Sequence, residues 1–142
     1  MRERAGESNQ ETRAETEGFS LGSRAKSFGH AFAGIALVVR TQHNARIHCL
    51  ATLLVVGLGA LLPLAALEWC ALILAIAGVW IAEAMNTALE FLADATNPED
   101  HPLVGRAKDA AAGAVLIAAI AAAAVGLIVL GPHCLKFLGA GC

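Results

Sequence analysis

The stretch from about Leu67 to Ala93 is apolar for most of its length, yet its end, Ile81-Ala-Glu-Ala-Met-Asn-Thr-Ala-Leu-Glu-Phe-Leu-Ala-Asp94, carries three acids. A run this long and apolar reads as a membrane-spanning helix. From Glu83 the steps to Asn86, Glu90 and Asp94 are three, four and four residues. At about 100° per residue these four side chains fall within roughly 80° on one helix face. Carboxylates at bilayer depth cost on the order of several kcal/mol each unless they face a protein interior or a water-filled cleft, so such a stripe marks a site.

The rest of the chain fits a small membrane protein. Hydrophobic residues make up 57% of the 142 and charged residues only 15%, a balance outside the range of a soluble domain of this size. Residues 1–20 alternate Glu, Arg, Ser, Gln and Thr and read as a disordered polar tail. Residues 21–138 read as one membrane domain, and 139–142 as a C-terminal tail. Within the domain, Phe28, Phe32, Ile35 and Val39 recur at helical spacing among Arg24, Lys26, His30 and Arg40. The pattern predicts an amphipathic helix over 23–43 lying in the membrane interface, with Ser20 or Ser23 as its cap.

Three spans follow, at about 47–66, 68–93 and 109–130. Pro63 separates the first two, and Trp69 stands where an interfacial aromatic belt would put it. Thr96-Asn-Pro-Glu-Asp-His-Pro102 reads as a loop, after which the last apolar run opens at Gly105 and stops at Gly131-Pro132. The alanines of that run and Gly113 would let backbones approach closely, making this helix central to packing. The predicted fold class is therefore all-α: a surface helix plus three transmembrane helices.

Arg24, Lys26, Arg40, Arg46, Arg106 and Lys108 gather at one set of membrane ends, and the Pro63 break has no Lys or Arg. The positive side is cytoplasmic, which puts the N-terminus and the acidic stripe on the side where ATP is found. A net charge of −2 and scattered basic residues exclude a nucleic-acid surface. The four cysteines, Cys49, Cys70, Cys134 and Cys142, form no CxxC and lack histidines at zinc-ligand spacing. No secretory leader is read at the N-terminus.

On spacing alone, the stripe beside Lys108-Asp109 is open to three readings. It could hold a divalent cation with phosphate oxygens, carry protons or cations in a small oligomeric carrier, or only join helices. Hard oxygen ligands favour magnesium over zinc, and magnesium pairs a few carboxylates with substrate phosphates. GxxxxGK[ST], GxGxxG and the protein-kinase elements are all missing from the sequence.

Glu83-Ala-Met-Asn86-Thr-Ala-Leu-Glu90-Phe-Leu-Ala-Asp94, then His101-Pro-Leu and Gly105-Arg-Ala-Lys108-Asp109 with its small-residue helix, resembles the prokaryotic diacylglycerol kinase family. Ser27-Phe28, Ala31, Gly34 and Thr41-Gln-His-Asn44-Ala-Arg46-Ile-His48 resemble its undecaprenol-kinase-like branch. The resemblance covers about Ser27 to Leu130. It implies a homotrimer in the bacterial inner membrane, with sites shared between subunits, that moves the γ-phosphate of ATP, with Mg2+, to a membrane lipid alcohol. It also implies roles: Glu83 as general base, Asn86 and Asp94 in positioning, Glu90 as metal and nucleotide ligand, and Lys108 and Asp109 at the nucleotide. Where the diacylglycerol-specific branch has a second metal-binding glutamate, this chain has His48. Either the metal relies on Glu90, phosphates and water, or His48 touches phosphate. A plain boundary-anchoring role for His48 stays open beside these, as does a helix-orienting role for His101.

Overall fold

The computed structural model describes residues 21–96 and 101–139. The predicted tail before Leu21, the Ser20 cap, loop residues 97–100 and Cys142 lie outside them. Among the described residues the chain is all helix: α1 (Leu21–Thr41), α2 (His43–Leu61), α3 (Ala66–Thr96) and α4 (Pro102–Gly139). The chain divides into two units, one ending at Ala36 and the other beginning at Leu37.

In the first unit, Phe28, Phe32 and Ile35 are exposed, and so are Arg24 and Lys26. Ser23 lies inside α1 and its carbonyl accepts from the Ser27 hydroxyl, so it is not the cap. The second unit holds three helices long and apolar enough to cross a membrane, α2, α3 and α4. Most of their large apolar side chains point outward, Leu53, Leu74, Ile81, Ile117, Ile120 and Leu127 among them. Such an exterior suits lipid rather than water.

The α1–α2 break falls at Gln42. Its N–H still reaches the Val38 carbonyl, and Arg46 reaches back to donate to the Arg40 carbonyl at 2.8 Å, which satisfies an orphan group at the end of α1. At the other end of α2 the chain turns through Leu62–Ala65, and Gly59 lies against the Trp69 ring. A Cβ at Gly59 would stand 2.8 Å from that ring, so only glycine permits this closure. Trp69 thus packs on α2. Leu72, Val129 and Leu130 form the buried core at this end, flanked by Val55, Leu62 and Leu64.

α4 differs from its predicted span at both ends. It starts at Pro102, whose fixed φ and missing N–H suit a first helical position, and His101 Nδ1 accepts the Leu103 N–H at 3.2 Å. His101 is therefore helix-orienting. At the other end the helix does not stop at Gly131-Pro132 but runs through Pro132 to Gly139. A proline deprives only one carbonyl of its partner, and packing holds the helix on both sides of it. Val129 and Leu130 are in the core before Pro132, and Cys134 packs against that core after it. His133 Nε2 lies 2.9 Å from Glu68 Oε1, and Glu68 Oε2 accepts the Ala65 N–H. α4 makes its most extensive contact with α3, as a central packing helix should. Gly113, however, meets no close neighbour within the chain.

Candidate active site

The four-residue stripe on α3 grades from buried to exposed. Glu83 is 1% exposed and Asn86 6%, Glu90 is half-buried, and Asp94 is exposed near the end of the helix. Thr87 is as buried as Glu83 and donates to the Glu83 carbonyl at 2.9 Å. Its hydroxyl is satisfied within the helix and adds no demand on the site.

Glu83 is held without being satisfied. Its Oε2 has no hydrogen-bond partner, nor has Nε2 of His48 on α2, and these two atoms face each other 3.9 Å apart. That gap is too long for a good hydrogen bond. Both atoms are free to bond a hydroxyl, one as acceptor and one as donor or acceptor, and an oxygen about 2.8 Å from each would bridge them once the two side chains part to admit it. Asn86 Oδ1 is the third buried polar atom left without a partner. Buried orphans of this kind are rare in folded proteins and point to a missing ligand or water.

Glu90 lies one turn on and is held from two sides. Its Oε1 accepts from Asn86 Nδ2 and its Oε2 from Gln42 Nε2, both at 3.0 Å. Gln42 occupies the N-cap position of α2 but spends its side chain on Glu90 instead of capping the helix. Asp94 accepts from Lys108, which pins the end of α3 to the first turns of α4, and Asp109 is exposed beside it. The structure thus brings Glu83, Asn86, Glu90 and His48 together and couples Asp94 to Lys108. His48 faces Glu83, whereas the residue reaching Glu90 is Gln42.

Sequence reasoning missed Gln42, Thr52, Trp80 and Thr87 as members of this constellation. Gln42 sits inside the Thr41–His48 stretch that carries part of the resemblance, but no periodicity reveals a contact with Glu90 across 48 positions. Trp80 Nε1 donates to Thr52 Oγ1 at 3.1 Å, a pairing between spans that likewise leaves no pattern in either helix.

From His48 an apolar groove of about 540 Å³ leads between α2, α3 and α4, past Ala51, Val79 and Ala119 to Leu72 and Leu130. His48 and Thr52 are its polar lining residues. Among the described residues no three His, Cys, Asp or Glu side chains converge as a metal site. The half-buried carboxylate of Glu90 nevertheless suits a hard cation that takes one or two protein oxygens and completes its shell with phosphate and water.

A family model described as Prokaryotic diacylglycerol kinase matches residues 29–130, which contain every residue of the stripe and the groove. This chain belongs to the prokaryotic diacylglycerol kinase family. Undecaprenol kinase of Bacillus subtilis is 40% identical to it over 107 residues, covering 75% of this chain and 87% of that protein. Diacylglycerol kinase of Synechocystis is 43% identical over 113 residues, 79% of this chain and 65% of that protein, and diacylglycerol kinase of Escherichia coli is 34% identical over 108 residues, 76% and 88%. The chain is thus a member of a family of membrane lipid kinases, and its α4 extension from Gly131 onward lies beyond the family match.

Proposed function

We propose that this protein transfers the γ-phosphate of ATP to the hydroxyl of a membrane lipid, with undecaprenol ahead of diacylglycerol as the acceptor. The observation that carries the reading is the buried, unpartnered pair Glu83 Oε2 and His48 Nε2, of which His48 also lines the apolar groove. A lipid alcohol would lie with its chain in the groove and its hydroxyl between these two atoms. Glu83 accepts the hydroxyl proton as the oxygen attacks, and His48 orients the alcohol. Phosphoryl transfer asks for alignment and charge neutralisation more than covalent chemistry; the half-buried end of the stripe would supply the carboxylate that holds a neutralising cation. Glu90, steadied by Gln42 and Asn86, would hold Mg2+, which when bound neutralises phosphate charge. Lys108 and Asp109 would contact the nucleotide at the more exposed end.

The groove's lining favours undecaprenol. Diacylglycerol brings ester carbonyls that seek donors, and the Thr52 hydroxyl already donates to the His48 carbonyl at 2.7 Å. An isoprenoid alcohol has no polar group but its hydroxyl. α1 would lie on the membrane surface, with the N-terminus and site on the cytoplasmic face of the inner membrane, and the protein would work as a homotrimer with sites shared between subunits.

The test is labelled-phosphate transfer from MgATP by the detergent-purified protein with each lipid supplied separately. The reading expects a kcat/KM for undecaprenol at least about tenfold above that for diacylglycerol, since buried polar groups left unpaired are strongly rejected. Equal or reversed preference would remove the groove argument, and flux of protons or cations without any transfer would put a carrier in its place.

A further inference from the structure

We infer that Trp80 and Thr52 form a register pin between α3 and α2 that sets the position of His48 against Glu83, making both of them positioning residues of the transfer reaction. The inference rests on the reading of the Glu83–His48 pair as the alcohol site. Trp80 precedes Glu83 by three residues, and Thr52 follows His48 by four, so each lies one turn from its site partner on the same helix face. The two spans therefore meet in two rungs. One is Trp80–Thr52 at 3.1 Å, and the next is Glu83–His48 at 3.9 Å.

The chemistry of the first rung is directional. The Trp80 indole N–H can only donate, and it donates to Thr52 Oγ1. The Thr52 hydroxyl passes its own hydrogen to the His48 carbonyl at 2.7 Å. The chain of donors thus ends on the backbone of the residue that faces Glu83. In lipid an indole N–H without a partner is costly, so the bond resists breaking, and it resists any slide of α2 along α3 with it. Such restraint matters because α2 packs far less extensively on α3 than α4 does. Thr52 also lines the groove directly behind His48, so the pin lies where the first carbons of a bound alcohol would pass. Ordinary aromatic packing would need only the ring of Trp80. The pin needs its N–H.

The experiment compares full-length Trp80→Phe, Thr52→Val, Thr52→Ser and the Trp80→Phe/Thr52→Val double variant with wild type in the same detergent. Trp80→Phe keeps an aromatic ring, though a smaller one, and removes the N–H, Thr52→Val keeps the volume, and Thr52→Ser keeps the hydroxyl. The pin predicts that Trp80→Phe and Thr52→Val each lower kcat roughly ten- to hundredfold at unchanged KM for ATP, as misplacement of a reacting group by a fraction of a side chain does. Thr52→Ser should restore most of the rate, and the double variant should be no worse than Thr52→Val. A second readout does not depend on catalysis. The ring 15N resonances of His48 should shift in Trp80→Phe and Thr52→Val and stay put in Thr52→Ser. A Trp80→Phe variant with wild-type kcat overturns the pin, and so do unshifted His48 resonances. If wild type itself transfers no phosphate, the lipid-kinase reading fails, and the His48 resonances alone decide whether the register pin exists.

Discussion

A carboxyl group that is 1% exposed inside a membrane helix, with one oxygen lacking any partner, is a standing cost of folding. Glu83→Gln keeps the volume and removes the charge. Thermal unfolding in detergent should therefore show a Tm equal to or above wild type, while kcat for phosphate transfer falls by about 10²–10⁴, the range for a lost general base. A variant that lost both stability and activity would make Glu83 a structural residue. Gln42 gives a second expectation, because it holds one oxygen of Glu90 and makes no cap bond for α2. Gln42→Ala should leave Tm nearly unchanged and raise the Mg2+ concentration for half-maximal transfer by roughly tenfold, as loss of a group that orients a metal ligand does.

At the scale of elements, the two helix-to-helix junctions differ in what holds them. Gly59 lets Trp69 close over the end of α2, and a side chain there would meet the ring at 2.8 Å. Gly59→Val should cost about 1–3 kcal/mol through overpacking and lower the Tm accordingly. Lys108 and Asp94, by contrast, pair where both are substantially exposed, and such pairs contribute about 0–1 kcal/mol. Under the proposed function, in which Lys108 contacts the nucleotide, Lys108→Met should then change Tm little but raise KM for ATP severalfold.

These same elements show what was legible beforehand. The stripe of Glu83, Asn86, Glu90 and Asp94 was readable because one helical period generates it. The three spans were readable because lipid demands long apolar runs. Gln42–Glu90 and Trp80–Thr52 were not, because each joins two helices whose relative register depends on packing rather than on any period. The end of α4 misled because Pro132 is a stop signal in water, while in this chain core contacts on both sides carry the helix through it.

For the whole molecule, three spans place the two ends of the membrane domain on opposite sides. Under the proposed topology, which puts Arg106 and Asp109 on the cytoplasmic side, the Glu68–His133 end would face out. A membrane-impermeant thiol reagent applied to intact spheroplasts should label Cys70, which is exposed at that end, and should spare a cysteine introduced at Arg106. The reverse pattern would invert the topology and separate the site from cytoplasmic ATP. The measurement that bears most directly on the account is single-turnover transfer of labelled γ-phosphate from MgATP to undecaprenol, run side by side with wild type and a Glu83→Gln variant of equal Tm. The account predicts transfer by wild type and almost none by the variant. Equal transfer by both would contradict it, since the buried, unpartnered carboxylate would then have no part in the chemistry.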